Sequence, residues 1–91
     1  AQAWHMPITP HVWGSGIGLA ASLQFLATLP PAPLALHPIE PMLEYDQSAH
    51  PFRQDLIFGA ITMQDGRVAI PDKPGIGVDI NRDIIERYEK R

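Results

Sequence analysis

The sequence predicts an α/β fold, and three observations carry that prediction. Short apolar stretches suited to strands alternate with stretches suited to helices, in the order strand, helix, strand, helix, hairpin, helix. Such alternation points to a sheet with parallel pairing. An uncharged helical run, Gly16 to Leu29, lies between the first two apolar stretches and ends at Pro30-Pro31. Finally, Gln64-Asp65-Gly66-Arg67 separates Ile61–Met63 from Val68–Ile70, and Asp-Gly between apolar runs is a strong hairpin signal.

Each element has its own reason. Met6–Thr9 is a brief apolar stretch between prolines and is expected to be the first strand. Gly16–Leu29 is expected to be helical, with Ile17, Ala20, Ala21 and Gln24 on one stripe and Leu19, Leu23 and Leu26 on another. Apolar stripes on both sides predict burial on both sides. The prolines at 30, 31 and 33 end the helix, because proline lacks an amide donor and clashes with the preceding turn. Residues 30–41 then read as an extended, proline-rich connection.

Met42–Asp46 reads as the second strand, with Leu43 and Tyr45 on one face and Glu44 on the other. Pro51 at a first helical turn suggests a short helix to Ile57. The hairpin register pairs Met63 with Val68 and Ile61 with Ile70. Pro71–Gly77 is a turn-rich linker, and a closing helix begins near Asn81, with Asp83–Arg87 and Glu86–Lys90 as i,i+4 pairs.

Charge is distributed unevenly. Residues 1–39 hold no Asp, Glu, Lys or Arg, so every formal charge lies from Glu40 onward. An uncharged half suggests segments enclosed by protein on several sides, as expected for the C-terminal piece of a larger molecule. The net charge of −3 argues against nucleic acid or an anionic membrane as partner. The absence of cysteine excludes disulfides and thiolate metal sites. A membrane span needs about 20 consecutive apolar residues, and Gly16–Leu29 is shorter and contains Ser22, Gln24 and Thr28. A secretory signal would need a basic leader, which is absent from residues 1–39.

Few residues are placed to carry chemistry. Gly14, Gly16 and Gly18 superficially resemble a nucleotide-binding loop, but Leu19 stands where the dinucleotide motif needs its third glycine and no Lys-Ser/Thr follows. Tight packing of the turn is the simpler role. His11 is expected just past a strand and just before a helix, the position of catalytic side chains in a parallel β/α barrel; capping or packing is the alternative. Glu44 should stand beside it on a neighbouring strand, with Glu40 as the rival carboxylate. His5, His37 and His50 are read as surface or packing residues, and no zinc spacing is present.

Three stretches go further: PHVWGSGIGLAASLQFLATLP, PIEPMLEYDQSAHPFRQDL and DGRVAIPDKPGIGVDINRDIIERY. Together they resemble the C-terminal end of the mandelate racemase/muconate lactonizing enzyme family of the enolase superfamily. HPIEPMLEYD and HPFRQDL are most similar to its acid-sugar members. The resemblance implies the last part of a modified β/α (TIM-type) barrel in residues 1–56. Residues 57–91 would then be a hairpin and helix that return to an α+β capping domain. It further implies that His11 is the general base removing the proton α to a substrate carboxylate. Glu44 would bind that carboxylate or assist as an acid, and Trp13 would line the substrate mouth. Mg²⁺ would be the cofactor, its ligands lying upstream, so that the 91 residues alone would be inactive. The implied partners are a small acid sugar, the remainder of the same enzyme and further copies of it, in the cytoplasm. Dehydration, cycloisomerisation and racemisation all remain open, and the alternative is a small non-catalytic α/β interaction module.

Overall fold

The first strand, β1, is His11–Val12 and pairs in parallel with β2, Glu44–Tyr45, with His11 opposite Glu44 and Val12 opposite Tyr45. This computed structural model describes residues 1–31 and 37–90. The predicted parallel pair is present, but its first strand is not Met6–Thr9. Pro7 and Pro10 have no amide to give to a ladder. The Pro10 carbonyl accepts from the Glu44 N–H at 3.0 Å, and the strand starts at the next residue. His11 therefore lies within β1 rather than past it.

Helix α1, Gly16–Ala27, joins the two strands. Ser15 caps it, its hydroxyl accepting from the Gly18 N–H at 3.4 Å. The Gly16 N–H, which no helical carbonyl can satisfy, donates to the Phe52 carbonyl at 2.8 Å. At the other end the Thr28 hydroxyl donates to the Phe25 carbonyl at 2.7 Å. The double proline follows, so the helix stops two residues before the predicted Leu29.

One side of α1 is buried, and the other is not. Leu19, Ala20, Leu23 and Leu26 form the core with Ile57 and Ile61, and Val12, Leu43 and Tyr45 pack against it. Ile17 and Phe25 are exposed, Phe25 at 47%. Within this chain α1 is thus buried on its leucine side, and Phe25 stands open to solvent. Each buried leucine contributes about 1.5–3 kcal/mol from the surface it removes from water. Leu43 and Tyr45 share the core face and Glu44 takes the opposite one, as the alternation of β2 requires.

Two further strand pairs lie among the described residues. β3, Ile57–Phe58, is antiparallel to β6, Asp79–Ile80, while β4, Met63–Gln64, and β5, Arg67–Val68, form the hairpin. Asp65 and Gly66, with φ of 51° and 73°, build the turn. Positive φ at both central positions is the geometry that suits a two-residue hairpin loop. Met63 faces Val68 as predicted, yet the ladder does not extend to Ile61 and Ile70. Ile61 has given its backbone elsewhere: its N–H donates to Gln54 Oε1 at 3.0 Å and its carbonyl accepts from the Tyr45 hydroxyl at 2.9 Å.

Residues 51–56 form successive turns in place of the predicted helix. The closing helix α2, Arg82–Tyr88, follows Asn81 as expected. Asn81 anchors it, donating from its backbone to Leu56 O at 2.7 Å and from its side chain to Asp55 O at 3.1 Å. Neither Asp83–Arg87 nor Glu86–Lys90 closes to an ion pair, and Arg87 lies 5.8 Å over the Tyr88 ring instead. The linker predicted at 71–77 is tied to α1 through Gln24, whose amide donates to Pro71 O at 2.8 Å. The proline-rich connection falls partly on residues 32–36, which lie outside the described residues. The radius of gyration is 15.2 Å, against about 12 Å for a compact domain of this length. The leucine core holds α1 to the strands, but much of the chain extends away from it.

Candidate functional site

The register of the parallel pair assembles the site. Because His11 and Glu44 are direct partners across β1 and β2, their side chains project from the same face. His11 Nδ1 and Glu44 Oε2 stand 2.7 Å apart, both side chains more than half exposed. α1 covers the opposite face, so this pair, at the first residue of each strand, faces outward. A neutral imidazole that donates from Nδ1 to a carboxylate leaves the Nε2 lone pair free to accept a proton.

Trp13 follows β1 directly and is 68% exposed. Its ring meets His50 edge-on, with centroids 5.6 Å apart and planes at 88°. The loop after β2 brings His50 there, so a histidine read from sequence as a surface or packing residue sits at the rim. His5 and His37 are exposed. Glu40, the rival carboxylate, is engaged by Arg67 at 2.6 Å.

An ion pair between the buried Arg53 and the partly exposed Asp46 escaped the sequence reading. Arg53 is 7% exposed, and its guanidinium donates to Asp46 Oδ2 and to the Ser48 carbonyl. Ser48 also gives its backbone N–H and its hydroxyl to Asp46 at 2.9 and 2.8 Å. Those two Ser48 bonds, then the Arg53 and His11 charges, hold the Asp46 carboxyl below the usual carboxylate range, against the opposing effect of burial. The Asp46-x-Ser48 spacing was the available signal, since aspartate commonly bonds the amide two residues on. Nothing local marked Arg53 as its partner.

Of Gly14, Gly16 and Gly18, Gly16 alone is held in a close approach. An added Cβ on Gly16 would lie 2.1 Å from Arg53 O, so only a bare backbone lets α1 approach the 51–56 turns. Among the described residues no group of three or more His, Asp or Glu side chains could hold a metal ion. His11 and Glu44 are bonded to one another and do not make a Mg²⁺ site, which calls for several oxygen ligands. No helix among the described residues is long and apolar enough to cross a membrane.

Comparison with known proteins places the chain among relatives of similar sequence and fold. The sequence is 46% identical over 81 residues to D-galactarolactone cycloisomerase of Agrobacterium fabrum, covering 89% of this chain and 21% of that protein. It is 32% identical over 88 residues to D-xylonate dehydratase of Haloferax volcanii, covering 97% of this chain and 19% of the relative. The chain thus spans about a fifth of the length of the curated relatives it matches. In structure it is similar to the 3,6-anhydro-D-galactonate cycloisomerase from Zobellia galactanivorans, with a TM-score of 0.78 and 27% identity, covering 99% of this chain and 23% of that one. The enolase C-terminal domain-like family matches residues 1–84. With the family model matching nearly the whole chain and the α/β fold agreeing, the chain belongs to the enolase C-terminal domain-like family.

Proposed function

We propose that the chain supplies the proton-handling side chains of an enzyme that abstracts the proton α to the carboxylate of an acid sugar. Dehydration and cycloisomerisation are the outcomes favoured, because the relatives are a cycloisomerase and a dehydratase. Membership in a family of enzymes favours this over a non-catalytic module. The observation that carries the reading is the 2.7 Å contact between His11 Nδ1 and Glu44 Oε2 on adjacent parallel strands.

His11 is the base. An imidazole can both accept and return a proton, the property that a general base of this kind needs. With Nδ1 turned to Glu44, Nε2 is the nitrogen offered to the substrate. Glu44 stands close enough to reach the carboxylate or the departing oxygen of the same molecule, as a hydrogen-bond donor when protonated. Trp13 offers an apolar ring to the sugar beside them. Mg²⁺, as the resemblance implies, would draw its oxygen ligands from other parts of the enzyme, together with the rest of the barrel and the capping domain.

The test is exchange of the substrate α-proton in deuterium oxide, using the enzyme that carries this chain and a panel of aldonic and aldaric acids and their lactones. His11→Asn should lower exchange by about 10²–10⁴-fold, the usual loss of a general base. Glu44→Gln should lower it less, since an amide still donates. Exchange at the parental rate in His11→Asn would remove His11 from the mechanism.

A further inference from the structure

Trp13 has an aromatic neighbour, His50, that the proposed chemistry does not use. Trp13 projects from the strand end, and its indole rests against the edge of His50. His50, by contrast, is held from several sides. Its Nδ1 accepts the Phe52 N–H at 3.2 Å, and its carbonyl accepts the Arg53 N–H at 3.1 Å. Its ring meets Phe52, with centroids 6.3 Å apart, and Phe52 meets Tyr88 of α2 at 5.2 Å. Phe52 is fixed in turn, since its carbonyl takes the Gly16 N–H at 2.8 Å. The buried Arg53 bonds to Asp46 and Ser48, closing the loop that presents His50. A row of rings therefore runs Trp13, His50, Phe52, Tyr88, with hydrogen bonds holding the segment of its two middle members.

We propose that His50 is a positioning residue, its ring edge holding the Trp13 indole at the rim and thereby setting how firmly an acid sugar is gripped, with no part in proton transfer. This rests on the reading of Trp13 as a substrate residue. The bond from Phe52 N–H consumes Nδ1 as an acceptor, which fixes the ring's rotation. The ring then meets the indole at 88°, within the edge-to-face geometry that aromatic pairs prefer.

Two substitutions separate the ring from its hydrogen bond. In His50→Asn the amide oxygen stands near the place of Nδ1 and can still accept from Phe52, but the ring is gone. In His50→Phe the ring stays and the acceptor is lost. The enzyme that carries this chain, labelled with 5-fluorotryptophan, is followed by fluorine NMR, with the Trp13 line assigned by its loss in Trp13→Phe. His50→Asn should shift and narrow the Trp13 line and raise KM for the acid sugar about two- to tenfold, the range an edge-to-face pair is worth. The value of kcat should stay within about twofold, because His11 retains its own partner. His50→Phe should keep both the Trp13 line and KM near parental values. A parental line and parental KM in His50→Asn overturn the proposal, as does a fall in kcat with the line unmoved. A moved line with unchanged KM overturns the effect on grip. An unchanged KM in Trp13→Ala as well would place that failure in the reading of Trp13 rather than in the role of His50.

Discussion

Replacing Gly16 by alanine would put a methyl group where the backbone of another segment already stands. The new Cβ would meet Arg53 O at 2.1 Å and the Ile57 side chain at 2.8 and 2.9 Å. The nearest atom is a carbonyl oxygen and cannot rotate away, so the start of α1 must move. That movement stretches the 2.8 Å bond from Gly16 N–H to Phe52 O and lifts α1 from Ile57 in the core. Overpacking of this kind costs about 1–3 kcal/mol. Helix propensity alone would give the opposite sign, since alanine is favoured over glycine by about 1 kcal/mol in a helix interior. Gly18, two residues on, provides the control: its added Cβ would touch only Val12 Cγ1, at an ordinary 3.6 Å. Urea and thermal unfolding should therefore show Gly16→Ala destabilised and Gly18→Ala unchanged or stabilised by up to about 1 kcal/mol. A kcal/mol corresponds to roughly 4–8 °C in midpoint for a domain of this size. If the two variants shift alike, the close approach of α1 to the 51–56 turns is refuted.

Leu23 is 3% exposed and Phe25 47%, so Leu23→Ala should cost about 2–5 kcal/mol. Phe25→Ala, measured in the same urea titration, should stay within about 1 kcal/mol, because the larger side chain is the one half in solvent. The Asp46 carboxyl is held below its ordinary range by Ser48, Arg53 and His11. A depressed folded-state pKa contributes stability that is complete above the unfolded aspartate value and disappears as pH falls through the folded one. Asp46→Asn should therefore lower stability at neutral pH and flatten the acid side of the stability profile, as followed by unfolding from pH 7 downward.

What was legible in the sequence was what a local pattern encodes. The double proline set the end of α1 to within two residues, Asp65-Gly66 located the hairpin turn, and Asn81 marked the start of α2. The alternation Leu43, Glu44, Tyr45 put Glu44 on the face away from the core, where it meets His11. Missed features had no such pattern. β3 and β6 are two residues each, too short to show a period, and their partners lie far apart in the chain. Ile61 was expected to pair with Ile70, but Gln54 and Tyr45 satisfy its backbone, a choice that no property of Ile61 reveals. Likewise, Arg53 has the composition of a surface residue and is buried only because Asp46 and Ser48 receive it. His50 packs, as the sequence suggests, but that its partners are Trp13 and Phe52 is set by the fold of the loop after β2.

The parallel pairing of β1 with β2 also bears on how the molecule folds. The Asp65-Gly66 hairpin needs only a tight local turn, and such turns close in about 1–10 μs. His11 and Glu44 are 33 residues apart, and bringing them together means closing that whole loop before any contact repays the lost entropy. α1 shortens the effective loop once it forms, but the leucine core must dock before the strands can align. The imidazole–carboxylate contact should thus be among the last to form on refolding and the first to be lost on partial opening. Slow amide exchange at Glu44, whose N–H is held by Pro10 O, would then report a chain that has completed its fold.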